Sequence, residues 1–298
     1  MARDLPFRVL DGPPPAGQLT QRKPWSPVMQ RDEQEAQPLT LALLPGLHGT
    51  GGLYQPFVRA LPHEVRTRVV AFPATGRRSI EEYARLAASQ LPEGPVVLLA
   101  ESFSGLVALA LLASGAASPR AVVFCASFAE PPRPFLLGLT RLVPRLGSLI
   151  QHAPSMLLRW FAIGWTAGGQ ELALLRAELS EASPGVLAHR LRLVATYQAP
   201  EIGRSAIPCY YLQGTRDRLV PSRAARWFQR HFTSFRVERL EGPHFLLLAE
   251  PQECARRVVR ILEEVAGGSM DTSPSLRDLR QTSCPLSPSE PPAHPGRG

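Results

Sequence analysis

The sequence contains no asparagine and only one lysine, Lys23, against 32 arginines. Both missing residue types use A-rich codons, so a GC-rich genome accounts for the shortage. The formal charge of +8 and pI near 10.0 therefore do not by themselves mark a nucleic-acid binder. The arginines are scattered, and no recognition motif accompanies them. Cysteine is also scarce. Cys125, Cys209, Cys254 and Cys284 stand far apart with no paired-cysteine spacing, which argues against a disulfide framework or a zinc ribbon. The first 17 residues lack an apolar core, so no signal peptide is expected and a cytoplasmic protein is the default. Residues 96–117 form the one apolar run long enough to span a bilayer. Glu101, Ser102 and Ser104 lie near its start, and a hydrocarbon core penalises the carboxylate. The run reads instead as a buried strand, a turn and a helix, without stable membrane insertion.

What is present is apolar material, 44% of the residues, with 31 prolines. That is enough for a sizeable core and too much proline for an all-helical bundle. Residues 1–37 read as a loosely ordered leader and the Ser/Pro-rich residues 268–298 as a disordered tail. A body at 38–267 is left to fold. Strands are predicted at 39–44, 68–72, 96–100, 121–125, 209–213 and 235–240. Helices are predicted at 79–91, 102–113, 221–232 and 246–265. The middle strands are apolar on both faces, as buried parallel strands are. The alternation implies an α/β fold with a mostly parallel central sheet flanked by helices. Residues 131–200 break it with helical patterns alone, at 134–142 and 168–181, and read as a cap inserted between two strands.

Three stretches carry chemistry. In VVLLAESFSGLVALALL a buried strand runs through a turn at Ser102 into a helix. Ser104 is a rival nucleophile, but it would put Leu106 where a small residue is needed and move the turn off the strand end. In PCYYLQGTRDRLVP, Asp217 follows a strand and is the only aspartate between residues 33 and 270; the bland reading is a turn residue. Glu130 is the fallback acid. In VERLEGPHFLLLAEP, His244 follows a strand and a Gly-Pro turn. A serine nucleophile needs a base with an acid behind it. The order Ser, Asp, His on these element types resembles the α/β-hydrolase superfamily, whose nucleophile sits in a G-x-S-x-G elbow. Here both motif glycines are replaced, by Ala100 and Ser104.

The resemblance covers about 38–267. Within it the chain is similar to small bacterial esterases of the kind that cleave the methyl ester of a pimeloyl-carrier protein. It implies Ser102 as nucleophile, His244 as base and Asp217 as the orienting acid, with no metal or organic cofactor. The Gly-rich turn LLPGLHGTGG, after the first strand, matches the superfamily's oxyanion turn. It implies the Leu47 and Phe103 backbone N–H groups as oxyanion donors. His48, in this turn, reads first as a solvated turn residue and second as a pocket wall. Trp160 and Phe161 of the insertion are further pocket candidates. The expected substrate is a small-molecule ester or acyl compound, with an acyl-carrier or coenzyme A thioester as a further partner and no nucleic acid. Alternatives are an acyltransferase, lyase or perhydrolase of the same fold, or a silent binding protein.

Charge gives one more expectation. Residues 38–267 hold 25 basic and 17 acidic side chains, the whole excess of the chain. Between 131 and 170 stand Arg133, Arg141, Arg145 and Arg159 and no acid. Such a cap suits an acyl chain with an anionic end. The plainer reading is a lid with its apolar face inward and its arginines solvated.

Overall fold

Every residue of Val96–Glu101 is buried, as a strand covered on both faces must be. In the computed structural model this strand lies inside a six-stranded sheet. The structure describes residues 38–267 except 140, 141 and 144. The leader and tail expectations, and Arg141, lie outside the described residues. The strands are β1 (Thr40–Leu44), β2 (Arg66–Val69), β3 (Val96–Glu101), β4 (Ala121–Cys125), β5 (Cys209–Gly214) and β6 (Phe235–Leu240). Their order across the sheet is β2-β1-β3-β4-β5-β6, and every pairing is parallel. All six predicted strands exist. β2 begins two residues early and stops at Val69; Val70 N–H still donates to Leu43 O of β1, and Phe72 N–H then donates to Gly49 O in the turn after β1.

The helices are α1 (Gln55–Ala60), α2 (Ile80–Ala88), α3 (Ser104–Ala113), α4 (Pro134–Leu139), α5 (Leu146–Gln151), α6 (Ser155–Leu158), α7 (Gly169–Glu181), α8 (Pro184–Thr196), α9 (Ala225–His231), α10 (Leu246–Ala249) and α11 (Pro251–Gly267). A widened helical turn, Arg159–Ile163, extends α6. Ser79 caps α2 through a reciprocal capping box with Glu82. The helix predicted at 246–265 is two, because Pro251 cannot continue α10 and opens α11 instead.

Side chains alternate across the sheet. Leu41, Leu43, Val97, Leu99 and Val123 pack with Val258 and Ile261 of α11 on one face. Ala42, Leu98, Val122 and Phe124 pack with Leu106 and Leu109 of α3 and Phe228 of α9 on the other. α3 is apolar nearly all round because it is covered by the sheet on one side and by α2 on the other. The described residues of 131–200 carry α4 to α8 and no strand. They join the body through a cluster in which Leu158, Ile163, Leu175 and Leu179 meet Leu53 and Leu248.

The chain leaves β1 toward one sheet edge and returns as β3 on the other side of β1. That reversal opens a crevice beyond the carboxyl ends of β1 and β3, where open α/β sheets bind ligands. The β1 exit turn and the β3 exit elbow, residues 45–52 and 101–104, both fall there.

Candidate active site

Ser102 has φ +50°, one of three non-glycine residues with positive φ among the described residues. A non-glycine side chain there costs about 1–3 kcal/mol and persists only where the surroundings fix it. They do so here. Ser102 N–H donates to Cys125 O at 2.9 Å, and Ser127 Oγ donates to Ser102 O at 2.8 Å. The motif departures are accommodated around it. Ser104 is wholly buried, and its hydroxyl lies 2.6 Å from Leu44 O and 3.0 Å from Glu101 O. It staples the elbow to β1 and cannot serve as a nucleophile. The close approach falls instead on Gly105, where a Cβ would sit 1.7 Å from Ser127 Oγ.

The two carboxylate oxygens of Asp217 face different partners. Oδ1 accepts from the N–H groups of Leu219 and Val220, at 2.8 and 2.9 Å, closing a turn. Oδ2 is left to face His244 Nδ1 at 2.9 Å. The loops that carry them are tied backbone to backbone, by Thr215 N–H to Leu240 O and Arg216 N–H to Gly242 O. His244 Nε2 lies 3.0 Å from Ser102 Oγ. A carboxylate only accepts, so Nδ1–H donates to Asp217 and Nε2 accepts from the Ser102 hydroxyl. The side chains of His244 and Asp217 are each 4% exposed. Burial pulls the His244 pKa down, but the charge and hydrogen bond of Asp217, with the charge of Glu101, outweigh it, and the net shift is upward. Glu130 is exposed and borders a different surface depression, away from His244.

Leu47 and Phe103 both border the same cavity as Ser102 and His244. Neither backbone N–H donates to another described residue, so both are free for a ligand oxygen. His48 is not a solvated turn residue. It is 1% exposed and lines that cavity. Burial drives its pKa down to about 3, the Thr50 backbone pulling weakly upward and Arg190 adding to the fall. Neither ring nitrogen makes a well-formed hydrogen bond.

The cavity holds about 500 Å³ and is walled by aliphatic and aromatic side chains from the insertion and the body, among them Leu137, Ile150, Leu158, Phe161, Leu175 and Val194. Phe161 lines it as predicted. Trp160 does not. It is 45% exposed, lies under the Arg218 guanidinium at 3.3 Å and stands edge-on to Trp165. The insertion's apolar face is thus not wholly inward. Its described arginines between 131 and 170 do not enter the cavity interior either. Arg159 bonds the carbonyls of Ala167 and Gly168, Arg145 is exposed, and Arg133 reaches only the rim, donating to Arg218 O.

One more site group went unnoticed in the sequence. Glu101, beside Ser102, is 2% exposed with Oε2 unpartnered. Burial raises its pKa from 4.5 to about 7, against a smaller pull down from His244. A carboxyl raised in this way stabilises the fold fully below about pH 4.5 and loses that contribution as the pH climbs through about 7. The loss is on the order of 3 kcal/mol at about 1.4 kcal/mol per unit. Glu101→Gln should therefore gain thermal stability over the parent at pH 8 and not at pH 4.5. Equal melting-temperature differences at both pH values would show that Glu101 does not titrate in this range.

A family model described as the alpha/beta hydrolase family matches residues 41–257, more than two-thirds of the chain. The chain belongs to the alpha/beta hydrolase family. Solved structures with this hydrolase fold cover about three-quarters of the chain. A thermophilic esterase from Thermogutta terrifontis superposes with a TM-score of 0.62 at 17% identity, over 76% of this chain and 90% of the esterase. The enol-lactonase from Burkholderia xenovorans LB400 gives 0.61 at 19%, over 78% and 94%. The type II thioesterase BorB from the borrelidin biosynthetic cluster gives 0.55 at 21%, over 76% and 93%. Comparison with the curated proteins gave no match. In this hydrolase no helix among the described residues is long and apolar enough to cross a membrane.

Proposed function

We propose that this hydrolase cleaves carboxylic esters or thioesters of apolar acyl chains through Ser102, His244 and Asp217. The observation that carries the reading is the unbroken line Asp217 Oδ2–His244–Ser102 Oγ, at 2.9 and 3.0 Å, opening on an apolar cavity. His244 takes the Ser102 proton as Oγ attacks the acyl carbon. Asp217 holds the Nδ1–H tautomer and stabilises the imidazolium. The Leu47 and Phe103 N–H groups receive the negative charge on the carbonyl oxygen. In a dry apolar pocket such donors act at low dielectric, and each contributes about 3 kcal/mol to lowering the barrier. His244 then gives its proton to the leaving alcohol or thiol, and water, deprotonated by His244, releases the acid.

The cavity sets the acyl preference. Its interior offers no charged side chain, so a hydrocarbon chain fits it and an anionic end meets only Arg133 at the rim. Catalytic efficiency on p-nitrophenyl octanoate should exceed that on the acetate by at least ~10-fold, since each buried methylene contributes about 0.8 kcal/mol. Ala162 is 6% exposed on the cavity wall. Ala162→Trp should fill the space and reverse the preference. An unchanged chain-length profile would place the acyl chain elsewhere. The general test is labelling by a fluorophosphonate with mass-spectrometric location of the adduct: an adduct on Ser102 supports the reading, and an inert Ser102 removes it.

A further inference from the structure

Among the described residues Arg190 is the largest wholly buried side chain, at 0% exposure, and it forms no ion pair. It stands on α8, in the insertion, yet its guanidinium lies against the body. Nη1 donates to Leu47 O at 2.8 Å and to His48 O at 2.9 Å, Nη2 to Pro73 O at 2.9 Å, and Nε to the Tyr83 hydroxyl at 3.1 Å. The cation also packs over the Tyr83 ring, 5.2 Å from its centroid, and near Phe72.

A buried cation without a carboxylate is costly, and anchoring a helix does not need one. What this cation grips is specific. The turn after β1 is closed by Gly49 N–H to Gly46 O at 3.1 Å, and Gly49 O accepts from Phe72 N–H. Arg190 holds the carbonyls of both central residues, so the peptide planes that follow Leu47 and His48 cannot rotate. Gly49 has φ +83°, and a Cβ on it would sit 2.3 Å from Nη1. The guanidinium is therefore flush against the turn. The free Leu47 N–H that borders the cavity lies on the preceding peptide plane, whose Gly46 carbonyl is held by Gly49 N–H, so Arg190 acts on it through the two planes that close the same turn.

We propose that Arg190 is a positioning residue for the oxyanion turn. By locking the turn it fixes the direction of the Leu47 N–H, and it places a permanent positive charge against the turn's carbonyls. The proposal rests on the function proposed above and deepens it. Fixed donors and dipoles act on the transition state rather than on the bound substrate, and a displacement of about 1 Å at a reacting group can cost about 100-fold. The loss on replacing Arg190 should therefore fall on kcat.

The test uses the full chain with Arg190→Met, Arg190→Lys and Gly49→Ala. Active sites are counted by fluorophosphonate titration run to completion, and kcat is expressed per titrated site. Arg190→Met should lose ~100-fold in kcat, with KM changing less than ~3-fold and affinity for a trifluoromethyl ketone falling in step with kcat. Arg190→Lys keeps the charge but cannot span both carbonyls, and should lose ~10-fold. Gly49→Ala both crowds the guanidinium and strains the turn at φ +83°, and should lose at least as much; Arg190→Lys, which leaves the turn unaltered, decides the matter if Arg190→Met does not fold. A kcat per titrated site within ~2-fold of the parent, with only melting temperature or titratable fraction reduced, overturns the proposal and leaves Arg190 as an anchor. Failure of the parent chain to label at Ser102 would instead remove the function itself.

Discussion

Ser102→Ala should reduce ester hydrolysis by ~10⁵-fold or more while the protein stays folded. The size follows from the chemistry. Where a nucleophile and its base act as one unit, removing the nucleophile costs about as much as removing the whole set, and a residue of about 10³–10⁴ over water survives from oxyanion donors and binding. Folding should survive because the hydroxyl makes only one polar contact, to His244 Nε2, while the elbow is fixed through the Ser102 backbone by Cys125 and Ser127. Those contacts persist in alanine, and alanine bears the left-handed φ much as serine does. The measurement is kcat/KM on a p-nitrophenyl ester, beside circular dichroism and a thermal melt. Near-parental activity in a folded variant would remove Ser102 from the chemistry. The rival serine would not inherit the role, because Ser104 is buried with its hydroxyl already bonded to Leu44 O and Glu101 O.

The elements that carry the site were legible because each has a local cause. β3, β4 and β5 are buried on both faces and so read as mainly apolar runs, broken only at the ends by Glu101 and Gln213. That Asp217 and His244 would meet could be read from element type and order, since each follows a strand and the body holds no other aspartate. Other features were hidden because their causes are non-local. α1 and α8 were not singled out; α8 carries Arg190 among apolar positions, and only the fold brings that cation to Leu47, 143 residues earlier in the chain. His48 was read first as solvated because turns usually are. It is buried because the insertion comes down over the turn, with Glu178 of α7 accepting from Gly52 N–H and Thr50 and Arg190 gripping the His48 carbonyl. Trp160 failed for the opposite reason. Its neighbour Phe161 faces the cavity, and Trp160 stacks under Arg218 instead.

Asp217→Asn should lower kcat by ~10³–10⁴-fold with little change in KM, and it should also move the pH profile in a defined direction. Asp217 Oδ2 accepts from His244 Nδ1–H. An amide can turn its NH₂ toward Nδ1, which then accepts, and the ring proton moves to Nε2, where Ser102 needs a lone pair. The base is lost although the geometry is kept. Burial opposes the imidazolium, and Asp217 supplies most of what overcomes it, so the His244 pKa lies above its ordinary value. Activity requires neutral His244, and kcat/KM in the parent should rise as pH climbs through that raised pKa. With asparagine the upward pull is gone and the burial penalty remains, so the inflection should move to lower pH. His244 also contributes to stability with the same sign logic. Its raised folded pKa gives a contribution present below the unfolded value of 6.5 and lost as pH rises through the folded one, and Asp217→Asn should flatten that stretch of the stability curve. A residue that only closes a turn predicts neither shift. It would change melting temperature through the Leu219 and Val220 N–H bonds, which the asparagine oxygen can still accept. If the rate stays within ~10-fold and the inflection does not move, Asp217 is a turn residue and the orienting acid has to be sought elsewhere. Glu130, exposed and away from His244, could not fill that role without a rearrangement of the loop after β4.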